Sequence, residues 1–204
     1  TVKAYEGSNS VLKVITDQST YAVDFVIEAV GVKPNTSFLD DIPINRLKNG
    51  AIVTDKHMET NLPDIYAAGD CVAYYHRILK NSQTFLPLGT HANKAGRVIA
   101  ERIHGLDSTF EGVIGSSVLK VFDLEIARTG LDLEEALNNN IPAASVSITA
   151  KDRAGYYPNA TKIDIEVIYN EDTCQLLGAY MIGEKGVAHR INTIATAISL
   201  GMTA

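Results

Sequence analysis

The first thirty residues of the chain have the hydrophobic pattern of short β-strands. Residues 1–5 and 11–16 are rich in β-branched side chains and are separated by a polar turn. Residues 21–31 follow, and an almost continuous apolar run from Phe25 to Val30 predicts a strand that is covered on both faces, as in a parallel sheet. The beginning of the chain is therefore predicted to be β-structure.

The middle of the chain changes from a strand pattern to a helix pattern. Residues 50–55 and 64–69 are predicted strands, and the second ends in a Gly-Asp pair. Further on, apolar residues recur at spacings of three and four, with charged residues between them: Ala92, Ala95, Ile99 and Ile103. This spacing predicts an amphipathic helix with Thr90 as its N-cap and Gly105 as its stop.

Beyond residue 112 the pattern is typical of antiparallel strands with helices. Residues 117–129 alternate, which predicts one face that carries Phe122, Leu124 and Ile126. Residues 143–150 are a further predicted strand, and residues 162–183 predict two strands joined by a polar turn at 170–173.

Two helices complete this second part. Asp132 and Glu135 form a capping-box pattern at the start of a short helix. A longer amphipathic helix is predicted from apolar residues at helical spacing, namely Val187, Ile191, Ile194, Ile198 and Met202. We therefore predict an α/β portion followed by an α+β domain with an antiparallel sheet, divided near residues 103–112.

Composition narrows the class of protein. The 204 residues are 46% hydrophobic and 21% charged, as in a globular protein that buries a core. A formal net charge of −6 without a cluster of basic residues argues against a nucleic-acid partner. No apolar run has the length of a membrane-spanning helix, so no membrane partner is expected. Cys71 and Cys174 lie far apart, which predicts free thiols in a reducing cytoplasm.

Several motifs of catalysis are missing from the sequence. There is no G-x-G-x-x-G, no Walker-type phosphate loop and no G-x-S-x-G. The five histidines and two cysteines have no zinc-site spacing, so no metal is expected. Gly69-Asp70 is the exception. At the carboxyl edge of a sheet, such a glycine would allow a ligand to approach the backbone, and the carboxylate would accept hydrogen bonds from ligand hydroxyls. Taken alone, this pair is a weak signal, and Asp70 is better explained as a cap of the turn or helix that follows.

Three consecutive segments together resemble one protein family. Residues 60–70, TNLPDIYAAGD, closely resemble the second flavin-binding motif of the FAD- and NAD(P)-dependent disulfide reductases. Upstream, residues 24–36, DFVIEAVGVKPNT, resemble the crossover from the NAD domain to the FAD domain of that superfamily. Downstream, residues 86–105, LPLGTHANKAGRVIAERIHG, resemble the helix that closes the flavin site. The three occur in the order expected for the family.

The second half resembles the C-terminal dimerisation domain of coenzyme A-disulfide reductases, which NADH oxidases and NADH peroxidases share. The resemblance rests on residues 115–131, 154–162 and 176–198. It implies that residues 1–31 end an NAD(P)-binding domain, residues 32–110 form the second part of an FAD-binding domain, and residues 111–204 form the dimerisation domain. The family's first FAD unit, redox-active cysteine and NAD fingerprint have no counterpart here. We therefore expect a C-terminal fragment that is colourless and inactive with NADH on its own.

The resemblance also implies roles for residues of the flavin site. It makes Asp70 the ligand of the FAD ribityl hydroxyls and Gly69 the point of close approach. Cys71 and Val72 are expected at a helix N-terminus beside the flavin, and the stretch that meets the flavin ring is expected to be Leu88, Gly89 and Thr90. Cys71 is expected to be a small neighbour of the flavin, because the family's redox cysteine lies near the N-terminus of the full chain.

Further roles concern the substrate. A tyrosine of the Tyr156-Tyr157 pair is implied to reach the partner's active site and protonate or stabilise a departing coenzyme A thiolate. A phenol, with a pKa of about 10, suits that task. The alternative is an ordinary aromatic pair before Pro158. His91 and Asn93, with Lys94, are candidates for substrate contact at the dimer cleft. A solvated helix face explains them nearly as well.

Together these features predict part of a homodimeric flavoprotein. Hydride would pass from NAD(P)H to FAD and then, through a cysteine outside this chain, to coenzyme A disulfide or a related persulfide. The alternative within the family is an NADH oxidase or peroxidase whose cysteine cycles through sulfenic acid. A non-catalytic dimerisation fragment is the alternative from another class.

Overall fold

The computed structural model describes residues 1–80 and 82–204, which form two units, Thr1–Lys33 and Pro34–Ala204. The first unit is a three-stranded antiparallel sheet in the order β1-β2-β3. Its strands are Val2–Glu6 (β1), Lys13–Thr16 (β2) and Thr20–Ala22 (β3). The sequence correctly places strands in the first two of these segments.

The predicted buried strand between Phe25 and Val30 is wrong. These residues form no regular element, and Phe25 and Ile27 are 73% and 79% exposed. A strand of a parallel sheet is stabilised by neighbouring strands and by layers on both faces. Within the described part of the chain, no strand pairs with this apolar run. The apolar side chains of this run therefore have no neighbouring strand in the described chain against which they could be buried.

The second unit begins with a small mixed sheet, β4-β5-β6, followed by a helix. Strand β4 (Ile52–Val53) is parallel to β5 (Val72–Tyr75), which pairs antiparallel with β6 (Gln83–Thr84). Helix α1 spans Gly89–Ile103. This is the α/β portion that the sequence predicts.

Helix α1 packs on a core that contains Met58, Val72 and Tyr74. It buries Ala95 and Val98, whereas Ile103, a predicted core residue, is 72% exposed at the last turn. The predicted N-cap is also wrong, because the helix begins at Gly89 and Leu88 is the residue before it. The predicted stop is correct: Gly105 has a φ of +92°, a left-handed conformation that ends helices.

The rest of the second unit is built on a five-stranded antiparallel sheet in the order β7-β8-β11-β10-β9. The strands are Ser117–Val121 (β7), Leu124–Gly130 (β8), Ala143–Lys151 (β9), Lys162–Asn170 (β10) and Leu176–Gly183 (β11). Helix α2 (Leu133–Asn138) follows β8, and helix α3 (Val187–Ser199) follows β11. An α+β domain with an antiparallel sheet is thus confirmed.

The two helices form as their sequences predict. The Glu135 amide donates to Asp132 Oδ1 at 2.6 Å, and the Asp132 amide donates to Glu135 Oε2 at 3.0 Å, which completes the capping box of α2. Helix α3 buries Val187, Ile191 and Ile198 at one face of the sheet. Met202 is the exception, because it lies beyond the helix and is 53% exposed.

The predicted single face of residues 117–129 is interrupted. Phe122 and Asp123 form a tight turn between β7 and β8, where Val121 pairs with Leu124. Leu124 and Ile126 share a face, as predicted, but Phe122 is at the turn and 93% exposed. Alternation cannot distinguish one long strand from a hairpin when the turn contains an apolar residue.

Candidate functional site

The Gly69-Asp70 pair lies in a turn that precedes a strand. The Val72 amide donates to the Gly69 carbonyl at 3.3 Å, and Gly69 has a φ of +101°. The predicted strand at 64–69 is wrong, because only Tyr66 makes a β-bridge, to Glu59. Glycine adopts this left-handed conformation without a steric penalty, so the chain can turn sharply and expose Asp70 to solvent.

Cys71 and Val72 do not begin a helix, which corrects the placement expected from the resemblance. Val72 is the fully buried first residue of β5. The half-buried Cys71 thiol points back to the Ala68 carbonyl at 3.7 Å. Burial is the main cause that raises the pKa of Cys71, and the charge of Asp70 adds to it. A thiol with a raised pKa forms little thiolate at neutral pH, which argues against a nucleophilic role.

Tyr74 connects the Asp70 turn to the start of α1. Its side chain is 2% exposed, and its hydroxyl donates to the Gly69 carbonyl at 3.1 Å. Its ring meets the His91 ring edge-on at 5.5 Å and the Phe110 ring at 5.2 Å. Burial raises the pKa of Tyr74, so its hydroxyl stays a donor at neutral pH. One aromatic side chain thus fixes the turn against the helix.

The first turn of α1 lies on the other side of Tyr74. Leu88 is extended and precedes Gly89 and Thr90, the first two helical residues. The Thr90 side chain is therefore not the cap that the sequence predicts, and the apolar side chain of Leu88 cannot cap the first amides. A helix N-terminus with uncapped amides carries partial positive charge and favours negative charge on a ligand.

His91 and Asn93 differ in their surroundings. His91 Nδ1–H donates to the Leu86 carbonyl at 3.1 Å, whereas Asn93 is exposed. Burial lowers the pKa of His91, and the charge of Lys94 lowers it further, although the bond to Leu86 raises it. His91 and Lys94 line a groove of about 390 Å³ between α1 and α3, with Arg77 and Asn192 among the other lining residues.

Tyr156 and Tyr157 lie in the loop that connects β9 to β10. Their rings stack at 5.0 Å, and they are 84% and 54% exposed. In the described part of the second unit, no hydrogen bond or ring contact joins them to the Asp70 turn or to α1. The structure therefore brings Gly69, Asp70 and the start of α1 together and leaves the tyrosines apart.

The base of this tyrosine loop is held firmly. Arg190 donates to the Asp152 carbonyl at 2.5 Å and to the Gly186 carbonyl at 2.9 Å. The Thr161 amide donates to Asp152 Oδ1 at 2.7 Å. Desolvation alone would raise the pKa of Asp152, but the Thr161 bond and the Arg153 guanidinium outweigh it and lower the pKa. Arg190 therefore has a structural role, and the anchored loop presents two exposed phenols.

Comparisons with known protein families agree with this arrangement. Residues 1–96 match the model described as pyridine nucleotide-disulphide oxidoreductase, and residues 116–204 match the dimerisation domain of the same family. The two matches follow each other and together include the Asp70 turn, the start of α1 and the five-stranded sheet. The chain belongs to the pyridine nucleotide-disulphide oxidoreductase family.

The relatives that this chain resembles within the pyridine nucleotide-disulphide oxidoreductases are named for related activities. The chain is 35% identical over 97% of its length to the NAD(P)H sulfur oxidoreductase (CoA-dependent) of Pyrococcus furiosus, of which it covers 44%. It is 33% identical over its whole length to the NADH oxidase of Streptococcus pyogenes, again covering 44%. Its structure matches an NAD-dependent persulfide reductase from A. fulgidus with a TM-score of 0.93 and 33% identity, over all of this chain and 38% of the other.

The match covers only part of each relative. The chain spans less than half the length of the curated relatives it matches. The activity of a whole oxidoreductase of this family is therefore a proposal for this chain.

Two further kinds of feature are missing from residues 1–80 and 82–204 of this chain. None of the helices described there combines the length and hydropathy needed to cross a membrane. No three or more His, Cys, Asp or Glu side chains in that part of the chain are grouped so that they could hold a metal ion.

Tyr74 is the residue of the candidate site that the sequence did not reveal. The only signal is that Tyr74 belongs to the apolar run that follows Gly69-Asp70, and the family resemblance implies a helix N-terminus at the start of this run. Its contacts with Gly69, His91 and Phe110 join segments that are distant in sequence. No local periodicity predicts such contacts.

His76 makes the stability of this chain sensitive to acid. It is 7% exposed, and its Nδ1 accepts the amides of Ile78 and Leu79, both at 3.3 Å. Burial lowers the pKa of His76, so between its folded and unfolded pKa values the unfolded chain binds more protons. We expect the free energy of unfolding to be fully present above pH 6.5 and to fall below it, by at most about 1.4 kcal/mol per pH unit for this histidine.

The measurement is urea unfolding between pH 7.5 and 5, followed by circular dichroism. His76→Asn is the matched variant, because an amide oxygen can accept the same two amides but does not titrate in this range. The His76→Asn chain should lose less stability on acidification than the wild-type chain. Part of the loss should remain in this variant, because the pKa of His91 is also lowered. Equal pH dependence in the two proteins would contradict the assignment to His76.

Proposed function

We propose that this chain supplies the second half of an FAD site and the dimerisation domain of an NAD(P)H-dependent flavoprotein that reduces coenzyme A disulfide or a related persulfide. The observation that carries the proposal is the Gly69-Asp70 turn, tied through Tyr74 to the start of α1. The activities of two similar proteins, a CoA-dependent sulfur oxidoreductase and a persulfide reductase, support this substrate class.

The residues at the turn fit a flavin. A side chain added at Gly69 or at Gly89 would meet no atom within 4 Å, so both backbones border open space. The exposed Asp70 carboxylate can accept hydrogen bonds from the hydroxyls of a ribityl chain. The uncapped start of α1 would favour negative charge on the reduced ring. When bound, FAD would accept hydride from NAD(P)H and transfer two electrons to a disulfide.

The tyrosine pair is evidence in favour of a reaction in which a disulfide is reduced and a thiol is released. Tyr156 and Tyr157 project from an anchored loop and make no hydrogen bond through their hydroxyls within the described part of the chain. A phenol can donate its proton to the sulfur that leaves when the disulfide bond breaks. We propose that the pair acts on the active site of the partner in a homodimer, and that the protein works in the reducing cytoplasm.

Conversion of each tyrosine to phenylalanine tests this role in the homodimeric flavoprotein that contains the chain. We expect one of Tyr156→Phe and Tyr157→Phe to lower kcat for coenzyme A disulfide by about 100-fold, the lower range for a lost general acid. Flavin content should not change, because the loop makes no contact with the Asp70 turn. NADH consumption with coenzyme A disulfide is the measurement.

Tyr21→Phe is the control, since this tyrosine is also exposed, at 53%, in the first unit. Full activity in both loop variants would contradict a role for the pair. NADH consumption driven by oxygen in place of coenzyme A disulfide would favour the second candidate, an NADH oxidase. That candidate is supported by the 33% identity to the Streptococcus pyogenes enzyme.

A further inference from the structure

The hydroxyl of Tyr74 is not explained by the packing of its ring. The side chain is 2% exposed, and its ring contacts the rings of His91 and Phe110. Phenylalanine would make the same ring contacts without the free energy that the burial of a hydroxyl costs. The bond from the hydroxyl to the Gly69 carbonyl, at 3.1 Å, offsets this cost. The hydroxyl therefore has a role at the turn that is separate from packing.

Gly69 is the least constrained residue of that turn. The chain is held on both sides of it, because the Ala67 amide donates to the Met58 carbonyl at 3.0 Å and the Cys71 carbonyl accepts the Ile52 amide at 2.8 Å. Between these two bonds, glycine allows a wide range of backbone angles, and a Cβ there would meet no atom within 4 Å. The orientation of the peptide that follows the glycine therefore depends on the hydrogen bonds that its carbonyl accepts.

The Gly69 carbonyl accepts two such bonds. The bond from the Val72 amide is long, at 3.3 Å, whereas the bond from the Tyr74 hydroxyl is 3.1 Å. This carbonyl and the Asp70 amide lie in one peptide plane, so the bond from Tyr74 also sets the direction in which the Asp70 side chain leaves the turn. Burial raises the pKa of Tyr74, the bond to Gly69 lowers it, and the nearby charge of Asp70 adds to the increase.

The ring of Tyr74 acts on the opposite side of the site. It meets the ring of His91, the third residue of α1, edge-on at 5.5 Å and with 64° between the ring planes. His91 Nδ1 is held by the Leu86 carbonyl at 3.1 Å. The imidazole is thus fixed at one nitrogen by a backbone carbonyl and on its ring by Tyr74. One side chain contacts both the Asp70 turn and the first turn of α1.

We propose that Tyr74 is a positioning residue of the flavin site, whose hydroxyl sets the direction of the Asp70 carboxylate and whose ring sets the position of the His91 imidazole. The first part rests on the proposed function, because the direction of Asp70 affects FAD only where the carboxylate is a ligand. The second part concerns the chain by itself. Neither part requires Tyr74 to touch the cofactor.

A double-mutant cycle tests the role of the hydroxyl in the flavoprotein that contains the chain. Tyr74→Phe keeps the ring and removes the hydroxyl. We expect it to raise the dissociation constant of FAD by about 2- to 12-fold, which corresponds to the net value of one neutral hydrogen bond. In an Asp70→Ala background the same substitution should leave the dissociation constant unchanged, because no carboxylate remains to be directed. The quenching of flavin fluorescence is the measurement.

Tyr75→Phe is the matched control, because Tyr75 is the next residue of β5, has its side chain on the opposite face of the strand and is 38% exposed. It should bind FAD as tightly as the wild-type protein does. Equal effects of Tyr74→Phe in both backgrounds would show that the hydroxyl does not act through Asp70 and would overturn the first part. Tight binding by Asp70→Ala alone would instead contradict the proposed function.

The role of the ring is tested in the 204-residue chain without flavin, by following the imidazole resonances of His91 by NMR as the pH is changed. Burial is the main cause that lowers the pKa of His91, and the Tyr74 ring is part of what buries it. Tyr74→Leu should therefore raise the pKa of His91 toward its ordinary value of about 6.5, whereas Tyr74→Phe should leave it unchanged. The charge of Lys94 and the bond to Leu86 are present in all of these chains.

Tyr74→Met is the second variant, for the case in which the leucine chain does not fold, because methionine adapts to irregular spaces in a core. It should raise the pKa of His91 in the same direction. A pKa of His91 that is equal in the wild-type chain and in a folded Tyr74→Leu or Tyr74→Met chain would overturn the second part. This measurement needs neither FAD nor turnover, so its result is independent of the proposed function.

Discussion

A Gly130→Ala chain is expected to lose about 2 to 6 kcal/mol of its free energy of unfolding. Backbone strain and overpacking would each contribute about 1 to 3 kcal/mol to this loss. Gly130 has a φ of +71° and pairs with Gly178 across β8 and β11. A Cβ at this position would overlap the Leu177 carbonyl oxygen and lie 2.7 Å from the Gly178 Cα. Because domains are typically stable by only about 5 to 15 kcal/mol, this is a large part of the total.

The measurement is chemical unfolding at neutral pH, with circular dichroism as the probe. Gly96→Ala is the control, since Gly96 is exposed on α1 and an added Cβ meets no atom within 4 Å. Alanine in that helix should stabilise the chain by up to about 1 kcal/mol. Unfolding of the Gly130→Ala chain at the wild-type denaturant concentration would show that the two strands can separate at little cost.

Asp70→Asn is expected to weaken FAD binding by about 10- to 150-fold in the flavoprotein that contains the chain. The estimate corresponds to a hydrogen bond to a charged group, about 1.5 to 3 kcal/mol. Because Asp70 is exposed in a turn, the fold should not change. Flavin titration followed by the quenching of flavin fluorescence gives the dissociation constant.

Asp64→Asn is the matched control for Asp70. It is an exposed aspartate of the same sequence motif, and its φ of +62° is a conformation that asparagine tolerates. It should bind FAD as tightly as the wild-type protein does. Tight flavin binding by Asp70→Asn would exclude the carboxylate as a ligand and leave Asp70 as a cap of the turn before β5.

The sequence predicted best those elements whose stabilising contacts are local. The capping box of Asp132 and Glu135 needs only residues three positions apart. The hairpin of β10 and β11 needs two alternating segments and a polar turn between them. The spacing of Val187, Ile191 and Ile198 correctly marks the buried face of α3.

The predictions from the sequence were wrong where burial or a turn depends on segments that are distant in the chain. The apolar run at 25–30 has the composition of a buried strand, but burial requires neighbours that the described chain does not provide. The pattern around Phe122 alternates correctly across a turn, so it could not reveal the hairpin.

The same distinction between local and distant contacts applies to the candidate site. The sequence by itself determined that a glycine with a wide conformational range precedes a carboxylate acceptor at residues 69 and 70, because those properties belong to the residues and their order. Only the tertiary structure decided that they form a turn before β5 and that Tyr74 ties this turn to α1. It also decided that Tyr156 and Tyr157 stay exposed on an anchored loop. Contacts between remote segments arise from chain packing, which no local spacing encodes.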